Sequence, residues 1–298
     1  MPNVEANGIT LEFDHFGSAD AEPILLISGL GVQMIRWTAP FCETLAGQGY
    51  RVIRFDNRDV GCSTHLDKAP VIEMTALAQA LGRGERLDLA YTLRDMADDA
   101  IGLLDTLGIE RAHVVGRSMG GMIAQIMAAE HAQRILSMAS IMSSTGNAGL
   151  PPPSPDAMTA LTRRAPNPFE DEPGYLDHCV GAARVIASPG FEFDEDAQRT
   201  QALAELRRGY NPAGFSRQIA AMITAGDRCA RLNTISAPSL IVHGASDPLI
   251  PLACGQDTAA NIKGSQLMVI DGMGHDLPVE LYETVARAIT ANARRVAA

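Results

Sequence analysis

The chain has 298 residues, of which 46% are hydrophobic and 20% charged, enough to build a sizeable core as one large α/β domain or two small ones. With 24 basic against 35 acidic residues the formal net charge is −11, and no Lys/Arg cluster offsets it, which argues against nucleic acid or an anionic membrane surface as partner. The opening residues, Met1 to Gly8, have neither a basic region nor an apolar core, so no signal peptide is expected, and no apolar run approaches the roughly 18 residues a membrane span needs.

Five scattered cysteines (Cys42, Cys62, Cys179, Cys229, Cys254) form no C-x-x-C pair and point to reduced thiols in a cytoplasmic protein. Val4 to Phe16 holds two short strand-like runs around Asn7-Gly8, a hairpin turn signal. Ile24 to Ile27 is a compact apolar run, read as a buried strand, and it enters the glycine-rich loop Ser28-Gly29-Leu30-Gly31. Phe41 to Gly49 reads as the end of a helix, and Tyr50 to Phe55 as the next strand. Trp37, between them, suits either core or pocket rim. Leu66 to Leu89 is longer than a minimal strand-to-helix link. Thr92 to Leu107 is an amphipathic helix stopped at Gly108.

The pivotal stretch follows. An apolar run from His113 to Val115 leads into Gly116-Arg117-Ser118-Met119-Gly120, and helical apolar spacing resumes at Met119, Met122, Ile123, Ile126 and Met127. Strand, Gly-x-Ser-x-Gly and helix together predict a nucleophile elbow. Ser118 then sits at the tip of a tight turn, where only small residues fit on either side. The helix start aims its N–H groups at an anion formed there.

Another strand runs from Ile135 to Met142. From about Ser143 to Ala237 the strand rhythm stops, and helices are expected over Ala157–Arg164, Tyr175–Ile186, Asp194–Arg208 and Phe215–Thr224. Strands return at Ser239–Gly244 and Gln266–Ile270, and a helix from Val279 to about Arg294 closes the chain. Alternating strands and helices imply an α/β fold with a mostly parallel central sheet flanked by helices. Residues 1–143 and 238–298 form its core. Residues 144–237 form an inserted helical cap, with an independently folded domain as the alternative.

A serine hydroxyl needs a base to take its proton and a carboxylate to orient that base. Of the seven histidines, His15, His65, His113, His131, His178 and His243 fall before the elbow, within elements, or in the helical region. His275 lies in Asp271-Gly272-Met273-Gly274-His275-Asp276, a flexible loop just past the last strand, where chemistry in such sheets is found. Asp247, after the Ser239–Gly244 strand, occupies the same edge and gives the chain order Ser, Asp, His. Asp271 and Asp276 flank the histidine too closely, and Asp227 and Asp257 look like solvated charges. The oxyanion donors are expected to be the backbone N–H groups of Met119 and Leu30.

Together these motifs resemble the α/β-hydrolase fold, in its lid-bearing, single-domain form, over essentially the whole chain. Ser28-Gly29-Leu30-Gly31 stands where that family usually has His-Gly-x-x. Asp56-Asn57-Arg58-Asp59-Val60-Gly61-Cys62-Ser63 is similar to its D-x-R-G-x-G-x-S turn, with Asp59 in place of a glycine. These, with Gly-x-Ser-Met-Gly and Gly-Met-Gly-His, resemble the branch that contains aclacinomycin methylesterase. The resemblance implies a carboxylic ester hydrolase working through an acyl-enzyme on small to medium apolar esters, methyl esters among them. It implies no cofactor and no metal. The partners expected are a small-molecule ester and, at most, further copies of the chain (monomer or small homo-oligomer). Enol-lactonase, C–C bond hydrolase and cofactor-free haloperoxidase or perhydrolase are the rival chemistries. A non-catalytic small-molecule receptor is the rival class, which intact Ser118, Asp247 and His275 weigh against. Arg117 departs from the usual His, Asn or Asp before the serine. It is expected to pack beneath the elbow against a carboxylate, with a substrate-facing role as the alternative.

Overall fold

A computed structural model describes residues 2–85 and 87–297. Asn7 and Gly8 both take positive φ, +48° and +77°, as a tight hairpin turn requires. They join β1 (Asn3–Ala6) to β2 (Ile9–Phe16) in antiparallel register. The apolar runs that follow become β3 (Glu22–Ile27), β4 (Tyr50–Phe55), β5 (Ala112–Arg117), β6 (Ile135–Ile141), β7 (Ser239–Gly244) and β8 (Gln266–Ile270). The described residues thus form one eight-stranded sheet ordered β1-β2-β4-β3-β5-β6-β7-β8. β2 pairs antiparallel with β4, and every pair from β4 across to β8 is parallel.

The central strands read as unbroken apolar runs because helices cover both faces of the sheet. α3 (Leu93–Thr106) and α4 (Met119–Glu130) cover one face, and α1 (Ala39–Ala46) and α11 (Tyr282–Ala293) the other. Alternation along β5 sends Val114 to the α3/α4 core and Val115 to the α1/α11 core. α3 begins where Thr92 and Asp95 cap each other: Asp95 N–H donates to the threonine hydroxyl at 3.3 Å and Thr92 N–H to the aspartate at 2.7 Å. Trp37 is 1% exposed and stacks on Phe41, so it is a core residue.

Three α-helices of the described residues have no counterpart in the sequence reading, the short one at Cys229–Leu232 among them. α2 (Met74–Gly82) lies within the Leu66–Leu89 segment. α10 (Leu252–Ala260) buries Cys254, Gly255 and Thr258, small residues that give no apolar stripe. Between β6 and β7 the described residues form α5 (Pro155–Thr162), α6 (Glu172–Ile186), α7 (Glu195–Arg208), α8 (Pro212–Thr224) and α9 (Cys229–Leu232), with no strand. All five cysteines are free thiols, and no helix among the described residues is long and apolar enough to cross a membrane.

Candidate active site

The loops after β3, β5, β7 and β8 open on the same edge of the sheet, and the residues expected to carry chemistry lie on them. Ser118 sits between β5 and α4 with φ +54° and ψ −123°, a conformation a serine holds only under constraint. The constraint is visible. A Cβ at Gly116 would lie 2.0 Å from the Gly120 carbonyl oxygen, and one at Gly120 would lie 2.2 Å from that of Ile27. Only glycine fits either place. Ser118 N–H donates to the Ile141 carbonyl at 2.9 Å, and the Ser143 hydroxyl donates to the Ser118 carbonyl at 2.7 Å, so both sides of the turn are tied to β6 and its loop.

His275 Nε2 is 3.1 Å from Ser118 Oγ, and its Nδ1 is 2.7 Å from Asp247 Oδ2. With a carboxylate partner, Nδ1 carries the proton and Nε2 presents its lone pair to the serine. Asp247 is oriented in turn, because its Oδ1 accepts from the N–H groups of Leu249 and Ile250 at 2.9 and 2.8 Å. Ser118, His275 and Asp247 are therefore brought together in one hydrogen-bonded line. The rival carboxylates are elsewhere. Asp276 accepts from the Ser188 N–H at 2.8 Å and from its hydroxyl, and burial lifts its carboxyl above the usual range against that pull. Asp271 is exposed. Asp257 is not a solvated charge: it is half-buried and accepts from Thr145. His243 is fully buried, with Nε2 facing the Ile250 carbonyl at 2.8 Å, and burial holds it neutral.

The loop carrying His275 reads as flexible in the sequence, but it is fastened to the end of α6 and the segment that follows it. His275 N–H donates to the Ile186 carbonyl and Gly274 N–H to the Ser188 hydroxyl, both at 2.8 Å, while Gly190 N–H donates to the Gly272 carbonyl at 2.9 Å.

The loop after β3 abuts the serine: a Cβ on Gly29 would lie 3.3 Å from that of Ser118. Among the described residues, neither Met119 N–H nor Leu30 N–H donates to a protein acceptor, as two candidate oxyanion donors should not. The Leu30 side chain packs on the α3/α4 core. The next N–H, that of Gly31, is taken by the Gln218 Oε1 of α8 at 2.7 Å, and Gln218 Nε2 donates to the Arg58 carbonyl at 2.8 Å. Gly31 has φ +64°, and the ring of Phe215 fills the place a Cβ would need, 2.6 Å away. Gln218 carries no motif, and sequence reasoning missed it.

Arg117 corrects one expectation. It forms no ion pair or hydrogen bond among the described residues, and its guanidinium lies 5.0 Å over the Trp37 ring. Burial and the neighbouring Arg36 draw its pKa down to about 10, so at neutral pH it is still a cation. Asp59, by contrast, has its cation: Arg217 of α8 reaches both carboxylate oxygens at 2.8 Å. Glu12, Asp56 and Cys62 place donor atoms within 4.8 Å of one another, but the Arg208 guanidinium already supplies the positive charge there, 2.5 Å from Glu12 and 2.8 Å from Asp56.

Residues 22–280 match the family model described as alpha/beta hydrolase fold. Rhodomycin D methylesterase of Streptomyces peucetius is 29% identical over 312 aligned positions, spanning 96% of this chain and 95% of its own. A putative carbamate hydrolase of Variovorax paradoxus is 29% identical over 89% of each chain. Among solved structures, the enol-lactonase of Burkholderia xenovorans LB400 superposes with a TM-score of 0.73 at 23% identity, over 98% of this chain and 100% of that one.

Proposed function

The chain belongs to the alpha/beta hydrolase fold family, and from that membership we propose that it is a serine carboxylic ester hydrolase, with methyl esters among its substrates. The observation that carries the reading is the hydrogen-bonded line from Ser118 Oγ through His275 to Asp247. Its kinship with a protein named as a methylesterase supports the choice of ester.

His275 Nε2 takes the Ser118 proton as the oxygen attacks the ester carbonyl. Asp247 stabilises the imidazolium, and the charge that develops on the carbonyl oxygen falls to the N–H groups of Met119 and Leu30, with the start of α4 behind them. His275 returns the proton to the departing alcohol. Water then enters, gives its proton to His275, and attacks the acyl-enzyme to release the acid and free Ser118. Residues 144–237 act as the cap over this site, and residues 1–143 and 238–298 as the core that carries it.

Hydrolysis of p-nitrophenyl esters from acetyl to dodecanoyl, wild type beside Ser118→Ala, tests the reading. The variant is expected to lose about 10⁴-fold in kcat. Near-normal turnover in the variant would overturn it. A parallel panel of lactones, ring-cleavage products and carbamates separates esterase from the other chemistries of the fold.

A further inference from the structure

Arg117 is the one residue beside the nucleophile that this mechanism leaves unused. From Ala112 to Ala128 every residue is buried except Arg117 and Ser118, two neighbours that both keep some exposure. Alternation along β5 points Arg117 to the face of Val115, onto an aromatic floor. There Trp37 stacks on Phe41 at 5.5 Å, and Phe41 meets Tyr282 edge-on at 5.3 Å. That floor holds the planar group by cation–π attraction and satisfies none of its five N–H donors.

The groups acting on it electrostatically are Arg36, Glu205, Tyr282 and Asp276. Each is committed elsewhere. Glu205 binds Arg36 through both oxygens at 2.7 and 3.0 Å, Asp276 is held by Ser188, and the Tyr282 hydroxyl accepts from Thr38 at 2.8 Å. The N–H donors of Arg117 are thus left without an acceptor among the described residues. A ligand carboxylate matches its fork in geometry and charge.

We propose that Arg117 is the specificity-determining anchor of this site and that the preferred substrates are monoesters of dicarboxylic acids, whose free carboxylate pairs with the guanidinium while Ser118 attacks the esterified carbonyl. The proposal rests on the esterase reading for its placement of the charge: methanol carries none, so in a methyl ester the carboxylate belongs to the acyl part. It narrows the apolar-ester expectation to acyl chains with a charged end.

Two measurements test it. Wild type is assayed on mono-p-nitrophenyl glutarate against p-nitrophenyl valerate, which match in length and differ in the charged end. The expected kcat/KM ratio is about 30-fold in favour of the anionic ester, the size of a charge-assisted hydrogen bond. In Arg117→Met the ratio falls to about one, and Arg117→Lys restores part of it. Separately, Ser118→Ala is titrated with monomethyl glutarate and dimethyl glutarate, read by calorimetry and by the fluorescence of Trp37, the sole tryptophan of the chain. The monoester binds about tenfold or more tightly and perturbs Trp37, and both effects vanish in the Ser118→Ala/Arg117→Met double variant. Equal turnover of both esters by wild type, or a preference that survives Arg117→Met, overturns the proposal and leaves the esterase reading intact. Charge-selective binding without turnover of either ester overturns the esterase reading and leaves the anchor.

Discussion

Ser118 and Asp59 are both non-glycine residues at positive φ, +54° and +67°, and each is kept there by what surrounds it. For Ser118 the strain exposes the hydroxyl to His275. Asp247 is the residue on which that histidine's tautomer depends, so Asp247→Asn should leave the fold intact and lower kcat by about 10³- to 10⁴-fold near neutral pH. Steady-state kinetics with a matching thermal melt checks this. Asp59 replaces a glycine of the related turn motif, and its left-handed backbone is one that Asp tolerates better than most residues. What it gains is Arg217, 2% exposed and bound through both oxygens. Restoring the family residue should therefore harm the protein. Asp59→Gly relieves the backbone but leaves a buried guanidinium unpaired, and a loss of about 3 kcal/mol or more is expected in urea unfolding.

At the scale of elements, α8 is the helix on which most converges. Gln218 spans from the Gly31 N–H to the Arg58 carbonyl, and Phe215 sits on Gly31, so one helix face sets the height of the candidate oxyanion loop. Gln218→Ala should lower kcat about tenfold while KM changes less than threefold, because the contact positions a donor that matters most in the transition state. A comparable loss in KM alone would mark Gln218 as a packing residue. Little of this was legible in the sequence. β4, β7 and β8 were readable to the residue, since an apolar run between turn signals announces a strand, the buried β4 and β7 and the more exposed edge strand β8 alike. The elbow was readable because sterics dictate its glycines. Gln218 and Arg217 look like any polar residues on a half-buried helix, and their partners lie 187 and 158 positions away, where no local pattern points to them. α10 escaped because small residues bury its face, and the idle state of Arg117 because pairing is the usual fate of such a cation.

Across the whole molecule, three guanidinium groups fasten the helices between β6 and β7 to the sheet edge. Arg36 holds Glu205, Arg208 holds Glu12 and Asp56, and Arg217 holds Asp59. The last carries a pH signature. Burial alone would raise the Asp59 pKa, but the hydrogen bonds from Arg217 and the Leu66 N–H outweigh it and lower the value from the ordinary 3.8. A carboxyl whose pKa falls on folding contributes stability above its unfolded value and loses it as pH drops through the folded one. The Tm advantage of wild type over Asp59→Asn should thus be full near pH ~7 and shrink progressively below pH ~4, as calorimetry would record.

The Gln218 bridge also governs how the protein is made. The loop it holds emerges from translation 187 residues before its partner, and contacts so distant in the chain are slow to close. The aromatic floor under Arg117 spans further still, since Thr38, beside Trp37, meets Tyr282 of α11 across 244 positions. On refolding, Trp37 fluorescence should therefore recover no earlier than the serine regains reactivity toward a phosphonate, and a nascent chain still lacking α11 would carry the α8 bridge without the native surroundings of its tryptophan.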